Sequence, residues 1–174
     1  MVAVPTLPAG LRLAKAWRIG YSVEAGCGGG PSKFPMVEQK RRIYLINPKT
    51  PENFWAMQGT LDIVGRHKTL MPNAALLTLA ALTPQGVPVE YAFCDENLAP
   101  ARLDFACDLV ALTGYTLQAE RVKILSDAFR ARSIPVALGG VFATLEPERA
   151  RPMADYLFLG EAEQTWPQIG RAHV

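Results

Sequence analysis

The sequence predicts an α/β protein with a doubly wound, mainly parallel sheet of five strands, of the Rossmann-like or flavodoxin-like kind. Short and almost uninterrupted apolar runs recur between residues 41 and 167, and turn-forming or acidic residues close them. Segments of helical length, rich in Ala and Leu or amphipathic, separate these runs. Strands that are apolar on both faces and alternate with helices are typical of a parallel sheet covered on both sides.

Each predicted strand is a short apolar run that stops at a loop signal. Residues 43–46 read Ile-Tyr-Leu-Ile and stop at Asn47-Pro48, and residues 109–112 read Leu-Val-Ala-Leu and stop at Thr113-Gly114. The same reasoning gives three further strands, at residues 87–94, 135–138 and 156–159. In a parallel sheet, the loops that follow these strands all meet at one edge.

Two helices are predicted from their composition and period. Residues 73–83 are dense in Ala and Leu between two prolines, which predicts a buried helix with Asn73 as its N-cap. Residues 118–132 are amphipathic, and their apolar face consists of Val122, Leu125 and Phe129.

The composition is that of an ordinary globular domain without a strong electrostatic field. Of the 174 residues, 49% are hydrophobic and 20% are charged, and the formal net charge is +2. The longest cationic block has three residues, so we expect no nucleic-acid partner. No apolar run approaches the roughly 20 residues that span a bilayer, so we expect no membrane span and a cytoplasmic location.

The cysteines and histidines do not predict a metal site. Cys27, Cys94 and Cys107 are odd in number and widely spaced, so neither a disulfide framework nor a zinc site is indicated. Free thiols in a reducing compartment are expected instead. We expect His67 to be a solvated loop residue rather than a ligand.

The two ends of the chain differ from its centre. Residues 1–35 contain four prolines and the run Gly-Cys-Gly-Gly-Gly but no strand or helix period. This predicts a disordered arm, or sequence upstream of a natural start at Met36. Residues 36–168 form the predicted α/β domain. Residues 169–174 read as the translation of a common sequencing-library adapter, so we expect the natural protein to be longer.

The loops after the third, fourth and fifth predicted strands are rich in small residues. They read Thr-Gly-Tyr-Thr at residues 113–116, Gly-Gly-Val-Phe-Ala-Thr at residues 139–144 and Gly-Glu-Ala-Glu at residues 160–163. Ligands of open parallel sheets bind at this edge, and glycine lets a backbone approach a flat ligand. Turn formation alone would explain one Gly-Gly pair, but three such loops favour a ligand crevice. We expect a side chain at Gly140 to block a ligand more than it disturbs the fold, and Ala137 to lie outside the crevice.

Several common motifs are missing from the sequence. There is no GxGxxG after the first strand, no GxxxxGK[ST] and no GxSxG, which argues against dinucleotide, P-loop and α/β-hydrolase sites. A phosphorelay receiver has the same fold but needs paired acids after the first strand and a lysine after the fifth. The chain has Asn47 and Gly160-Glu161 at those places.

The sequence resembles the cobalamin-binding domain of radical S-adenosylmethionine proteins. Asn47-Pro48 followed by Leu-Met-Pro-Asn-Ala-Ala-Leu-Leu at residues 70–77 is similar to the opening of these proteins. The most specific part is Pro-Val-Ala-Leu-Gly-Gly at residues 135–140, with Thr144, Pro147 and the ending Gly-Glu-Ala-Glu. The resemblance runs from about residue 43 to residue 167 and lies nearest to the branch with hopanoid methylases.

The resemblance implies that cobalamin lies against the carboxyl edge of the sheet with its nucleotide tail among the strands. It assigns cofactor contacts to ten residues, namely Thr113, Gly114, Tyr115, Thr116, Gly139, Gly140, Val141, Thr144, Gly160 and Glu161. It further implies a methyl-transferring parent enzyme. There, a C-terminal radical S-adenosylmethionine domain is the partner and holds a [4Fe–4S] cluster and S-adenosylmethionine.

The chain departs from the family pattern in two places. The usual Pro-Gly pair before the first helix is Pro72-Asn73 here, and the DxHxxG motif that supplies a cobalt ligand in mutases is absent. The cluster motif CxxxCxxC is also absent, so we expect this chain alone to be inert and to hold and orient the cofactor. Two alternatives stay open, a receiver-type module without corrinoid and a fragment that folds poorly without its partner domain.

Overall fold

A computed structural model describes residues 40–51, 73–84 and 86–168. Within them, five strands form one sheet in the order β2-β1-β3-β4-β5, and every neighbouring pair is parallel. The strands are β1 (Arg41–Asn47), β2 (Val89–Asp95), β3 (Leu109–Thr113), β4 (Val136–Gly139) and β5 (Tyr156–Leu157). The predicted fold class is confirmed. The expectations for residues 1–35, residues 169–174, Cys27 and His67 lie outside the described residues.

Five helices accompany the sheet in the described ranges. They are α1 (Ala75–Leu82), α2 (Ala119–Ala131), α3 (Gly140–Leu145), α4 (Pro147–Ala150) and α5 (Ala162–Thr165). Single 3-10 turns occupy Thr116–Gln118, Arg151–Met153 and Trp166–Gln168. Of the helices in these ranges, none is both long enough and apolar enough to cross a bilayer.

Helix α2 covers one face of the sheet. Its residues Val122, Leu125 and Phe129 are fully buried, as the sequence predicts. They share one apolar cluster with alternate strand residues such as Tyr44 and Val110. The rings of Tyr44 and Phe129 meet edge to face, with centroids 6.1 Å apart. Because successive strand residues face opposite sides of a sheet, the remaining strand residues face away from α2.

Helices α1 and α5 lie on the opposite face, where the strand side chains are smaller. Leu76 is the buried residue of α1, and it packs over a face that includes Ala111 of β3 and Ala137 of β4. The register of β3 and β4 pairs these two alanines directly. The α1 face therefore has less side-chain volume than the α2 face where β3 and β4 meet.

Helix α1 begins later than the sequence predicts, and Asn73 is not its N-cap. The N-cap is Ala74, which has no capping side chain. The Asn73 carboxamide instead accepts a hydrogen bond from the Ala75 amide at 3.0 Å and donates one to Asn47 Oδ1 at 3.2 Å. The prediction is wrong because Asn73 uses its side chain to join the start of α1 to the end of β1.

Strand β5 is shorter than the predicted run of residues 156–159. It pairs with β4 through Tyr156 and Leu157, and one more bond follows, from the Phe158 amide to the Leu138 carbonyl at 2.9 Å. Its neighbour β4 ends at Gly139, so the ladder has no partner for a longer strand. The apolar residues beyond Leu157 serve the loop at the carboxyl edge instead.

Candidate functional site

The carboxyl edge of the sheet has two parts with opposite character. The strand order changes direction at β1, and in sheets of this order the exits of β1 and β3 flank the usual ligand crevice. We call the loops that leave β1 and β2, residues 47–51 and 95–101, the polar half. We call the region around the exits of β3, β4 and β5, together with the facing side of α1, the apolar half.

Glu96, at the exit of β2, is the centre of the polar half. Its side chain is 2% exposed, and both carboxylate oxygens bind the Arg121 guanidinium, at 2.8 and 2.6 Å. The amides of Lys49 and Ala101 each donate to the carboxylate at 3.1 Å. Burial acts to raise the pKa of Glu96, but the bonds from Arg121 and the two amides outweigh it, and the pKa is lowered. Glu96 is therefore ionised and holds these loops together, and four donors already occupy its two carboxylate oxygens, so neither oxygen is left to bind a ligand.

Gln118 closes the gap between the exits of β1 and β3. Its side chain is buried, and Nε2 donates to the Pro48 carbonyl at 2.5 Å and to Thr50 Oγ1 at 3.1 Å. Its Oε1 accepts a hydrogen bond from the Tyr115 amide at 2.8 Å. One carboxamide thus fixes both loops at the position where a crevice is expected.

A cavity of about 390 Å³ occupies the apolar half, on the α1 face of the sheet. Small-molecule sites typically have volumes of about 300–1,000 Å³ and mostly apolar walls. The paired alanines Ala111 and Ala137 form part of the wall and leave the space that larger residues would fill. The other apolar lining residues are Ala75, Leu76, Leu79, Leu112, Val141, Leu145, Phe158, Ala162 and Trp166.

Gly140 is required by close packing between the exits of β3 and β4. Its φ is +87°, and a Cβ at this position would lie 2.5 Å from Thr113 Oγ1 and 3.2 Å from the Gly114 nitrogen. The expectation that the fold suffers little from a side chain here is therefore wrong, because the side chain would collide with Thr113 and Gly114, while its effect on binding stays a prediction. Ala137, expected to lie outside the crevice, lines the cavity.

Gly160 and Gly139 have more room. Gly160 has φ +72°, and a Cβ there would meet nothing within 4 Å. A Cβ on Gly139 would lie 3.4 Å from Phe158 Cβ, which is an ordinary contact. Gly160 is thus a place at the cavity where a ligand can approach the backbone.

Two threonines at the cavity differ in how their hydroxyls are used. Thr144 Oγ1 donates to the Gly140 carbonyl and accepts from the Gly160 amide, both at 3.0 Å, so it joins the exits of β4 and β5. Thr113 is 7% exposed, and its hydroxyl has no hydrogen-bond partner among the described residues. A buried hydroxyl without a partner is uncommon in native proteins and is open to a ligand atom.

The structure brings seven of the ten predicted contact residues to the cavity, namely Thr113, Gly139, Gly140, Val141, Thr144, Gly160 and Glu161. The other three follow β3 and are not among the described residues that line the cavity. A Cβ on Gly114 would touch Val122 at 3.3 Å, and Tyr115 is 49% exposed. Thr116 hydrogen bonds to the Glu146 carboxyl. The pKa of Glu146 is lowered, mainly by its bond with Arg149 and less by this bond from Thr116.

Sequence reasoning missed the walls that α1 and Trp166 provide. Trp166 is 2% exposed, and its ring lies 5.6 Å from that of Phe158. Its indole N–H donates to Thr83 Oγ1 at 3.0 Å, and the Thr83 hydroxyl also hydrogen bonds to Tyr91. Burial raises the pKa of Tyr91, so this phenol stays protonated. The indole is thereby fixed as a wall of the cavity.

The described thiols are not placed for metal binding or nucleophilic chemistry. Burial raises the pKa of Cys94, and it raises that of Cys107 to about 11. Protonated thiols are poor ligands and nucleophiles. Within residues 40–51, 73–84 and 86–168, no three His, Cys, Asp or Glu side chains come together as a metal site.

The model of the B12 binding domain family matches residues 60–169, which is more than half of the chain. The match includes β2 to β5 and each of the described residues that line the cavity. No solved structure matches the chain at a comparable level.

Three relatives carry methyltransferase or methylase names. An uncharacterized methyltransferase of Synechocystis sp. is 36% identical over 131 residues, 72% of this chain and 24% of that protein. Bacteriochlorophyllide d C-8(2)-methyltransferase of Chlorobaculum tepidum is 36% identical over 96 residues, 55% of this chain and 21% of that protein. Hopanoid C-2 methylase of Rhodopseudomonas palustris is 30% identical over 134 residues, 76% of this chain and 25% of that protein.

The aligned segment thus spans about a quarter of the length of these relatives. The family match covers β2 to β5 and the described lining residues of the cavity. The chain belongs to the B12-binding domain family.

Proposed function

We propose that this domain binds cobalamin with the nucleotide tail in the cavity of the apolar half, and that it serves a methyl-transferring radical S-adenosylmethionine enzyme. The observation that carries the proposal is the position of the cavity. It opens at the carboxyl edge of β3 to β5, where open parallel sheets bind ligands, and its lining falls inside the family match.

The residues at the cavity fit the tail of a corrinoid. A benzimidazole base is flat, has apolar faces and has one ring nitrogen that needs a polar partner when it is not bound to cobalt. The cavity supplies apolar walls from α1 and Trp166 and, among its described lining residues, one buried hydroxyl without a partner, that of Thr113. The open space beside Gly160 lets the nucleotide tail of the corrinoid pass close to the protein backbone.

The predicted contact residues take different roles in this proposal. Thr113 bonds the base, and the Gly139-Gly140 backbone forms the wall beside it. Thr144 fixes two of the loops around the tail. Val141, Gly160 and Glu161 stand where the tail enters. Tyr115 and Thr116, exposed at the exit of β3, contact the corrin ring, and Gly114 keeps the loop packed on α2.

Bound cobalamin would supply the methyl-carrying chemistry, and the residues of this chain bind and orient it. Apolar side chains exclude water from the tail. The buried acid of the polar half, Glu96, is committed to Arg121, so it is not a proton donor.

The [4Fe–4S] cluster and S-adenosylmethionine belong, in this proposal, to a partner domain of the parent enzyme. The sequence has no CxxxCxxC motif. The aligned segment covers 21% and 25% of the two relatives with a named substrate, which leaves room for a catalytic domain in those proteins. We also propose a cytoplasmic location and no nucleic-acid partner, since the net charge is +2 and the thiols are few and isolated.

A receiver-type module without corrinoid has little support. The acidic residues Asp95 and Glu96 stand at the end of β2 rather than after β1, and Glu96 is bonded to Arg121. The family match names a B12 binding domain.

The proposal is tested by filling the cavity from a tolerant position. Ala75 is exposed in the first turn of α1 and also lines the cavity, so Ala75→Trp adds bulk to the cavity without burdening the core. Ala74 is its exposed neighbour and does not line the cavity, so Ala74→Trp is the matched control. Affinity for hydroxocobalamin is measured by equilibrium dialysis on the 174-residue chain.

We expect Ala75→Trp to weaken hydroxocobalamin binding at least about tenfold, which corresponds to ~1.4 kcal/mol. Ala74→Trp should bind hydroxocobalamin like the unsubstituted chain, and both variants should melt as cooperatively as the unsubstituted chain. Equal affinity in the two variants would show that the tail lies elsewhere, and no binding by the parent chain would refute cobalamin binding.

A further inference from the structure

The cavity of the apolar half offers few hydrogen-bonding side chains. Among its described lining residues, the polar side chains are Thr113, Thr144, Glu161 and Glu163. Both glutamates are exposed, and the Thr144 hydroxyl already donates and accepts a bond. Among the described residues, a buried group inside this cavity therefore finds one available side-chain partner, the hydroxyl of Thr113.

The aromatic wall gives no additional donor. The only N–H of the Trp166 side chain is used by Thr83 Oγ1, so its ring presents carbon atoms to the cavity. Leu76 and Leu79 of α1 and the alanine pair of β3 and β4 complete an apolar surface.

Cobamides differ in the base at the end of their nucleotide tail, and the cavity treats these bases differently. Dimethylbenzimidazole has one free ring nitrogen and otherwise apolar edges. Adenine has an exocyclic amino group and additional ring nitrogens, which lose water on entering the cavity. Each buried polar group left without a partner weakens binding by roughly tenfold.

We propose that this cavity selects cobamides by their lower base, and that it accepts a benzimidazole and rejects a purine. The proposal rests on the proposed function, because it requires the tail to enter the cavity. Leu79 and Trp166 are the specificity-determining residues, because they present only carbon atoms to the cavity, where the polar groups of a purine would need hydrogen-bond partners.

The test compares three corrinoids on the full chain. They are hydroxocobalamin, the hydroxo form of the cobamide with adenine as lower base, and cobinamide, which lacks the nucleotide. We expect the adenine form to bind at least about tenfold more weakly than hydroxocobalamin, for the unpaired groups described above. Cobinamide should also bind more weakly, because it cannot fill the cavity.

A pair of variants on α1 tests whether the apolar wall is the cause. Leu79→Gln places an amide at the cavity, whereas Leu77→Gln places one on the same helix at a residue that is 55% exposed and does not line the cavity. The affinity for hydroxocobalamin divided by the affinity for the adenine form should fall at least about threefold in Leu79→Gln, because the new amide pairs with the purine. It should be unchanged in Leu77→Gln, and a ratio of affinities is independent of how much protein is folded.

The outcomes separate the two proposals. Equal binding of the two cobamides, with cobinamide weaker, overturns the selectivity and leaves cobalamin binding intact. Binding of cobinamide as tight as that of hydroxocobalamin places the tail outside the cavity and overturns the selectivity as well. An unchanged ratio in Leu79→Gln overturns the role of the α1 wall, and no binding of any corrinoid refutes the proposed function itself.

Discussion

Glu96 and Thr113 lie at the same edge of the sheet, and each is 7% exposed as a whole residue. They differ in how far their side chains are hydrogen bonded. In the polar half, the Glu96 carboxylate meets a guanidinium and two backbone amides. In the apolar half, the Thr113 hydroxyl has no partner among the described residues and stands beside a cavity. Burial alone does not distinguish a structural polar residue from a binding residue, whereas unused bonding capacity does.

The two halves are also built by different means. In the described part of the polar half, side chains bind loop backbones, above all Gln118, which holds the exits of β1 and β3 together. The apolar half is open because small residues, Ala111 and Ala137, face α1 at paired positions. Variants in the polar half should therefore change stability, and variants in the apolar half should also change ligand affinity.

The largest loss is expected from Gly140→Ala, in the tight wall of the apolar half. Strain at positive φ and overlap with Thr113 and Gly114 should together lower the free energy of unfolding by about 3 kcal/mol. Gly160→Ala, also at positive φ but with nothing within 4 Å, should lose about 1 kcal/mol from strain alone. Urea denaturation measures both losses, and equal losses would mean that backbone conformation, rather than the tight wall, explains Gly140.

Arg121→Met should give the next largest effect, in the polar half. It leaves the buried Glu96 carboxylate without its cation, and we expect a loss of about 2–3 kcal/mol, below the range for fully buried pairs because Arg121 is 33% exposed. The control is Lys123→Met on the same helix, which breaks the exposed pair with Asp127 and should have no measurable effect. Hydroxocobalamin affinity of the folded Arg121→Met protein should be unchanged, and a large drop there would mean that the two halves are not independent.

Thr83→Val should have a smaller effect. It removes the acceptor of the Trp166 indole and the partner of the Tyr91 hydroxyl, so the free energy of unfolding should fall by about 1–2 kcal/mol. Thr78→Val removes an exposed hydroxyl of α1, the helix that Thr83 caps, and should change stability by less than about 0.5 kcal/mol. Trp166 fluorescence, compared at equal folded fractions, reports whether the wall has moved. A Thr83→Val protein as stable as the parent chain would show that packing against Phe158 is enough to hold the indole.

The subtlest comparison concerns pH. The pKa of Glu96 is lowered in the folded protein, so its ionised form stabilises the fold above about pH 4.5, its ordinary value, and this contribution is lost as the pH falls through the folded pKa. Glu96→Gln removes the contribution at every pH. Its stability should be lower than that of the parent chain at pH 7 and should fall less between pH 5 and pH 3 in urea titrations. Parallel curves would show that Glu96 does not titrate with folding.

Most of the scaffold could be predicted because its signals are local. The apolar runs of β1, β3 and β4 and the face of α2 lie within one or two residues of their predicted positions. The meeting of the small-residue loops at one edge then follows from parallel pairing. The Asn73 cap and the length of β5 were wrong because both depend on a partner from another element, β1 in one case and β4 in the other.

The cavity itself could not be predicted from the glycine loops. It lies on the α1 face because β3 and β4 pair their alanines there, and this depends on register. The alternation of Ala111 and Ala137 with larger neighbours was a usable signal, and it would have directed attention to α1. Trp166 was overlooked because its partner Thr83 is distant in sequence, and no local pattern joins the two.

The contact between Thr113 and Gly140 also bears on how sequences of this kind can diverge. Because a Cβ at residue 140 would lie 2.5 Å from Thr113 Oγ1, an alanine is tolerated there only after residue 113 has lost its hydroxyl branch, and the positive φ still opposes it. We therefore expect packing alone to preserve Gly140, whether or not a cofactor is bound. A glycine at position 140 thus reports on the fold, and the residues at positions 79, 113 and 166 are the ones to compare between relatives when asking which of them bind the cofactor.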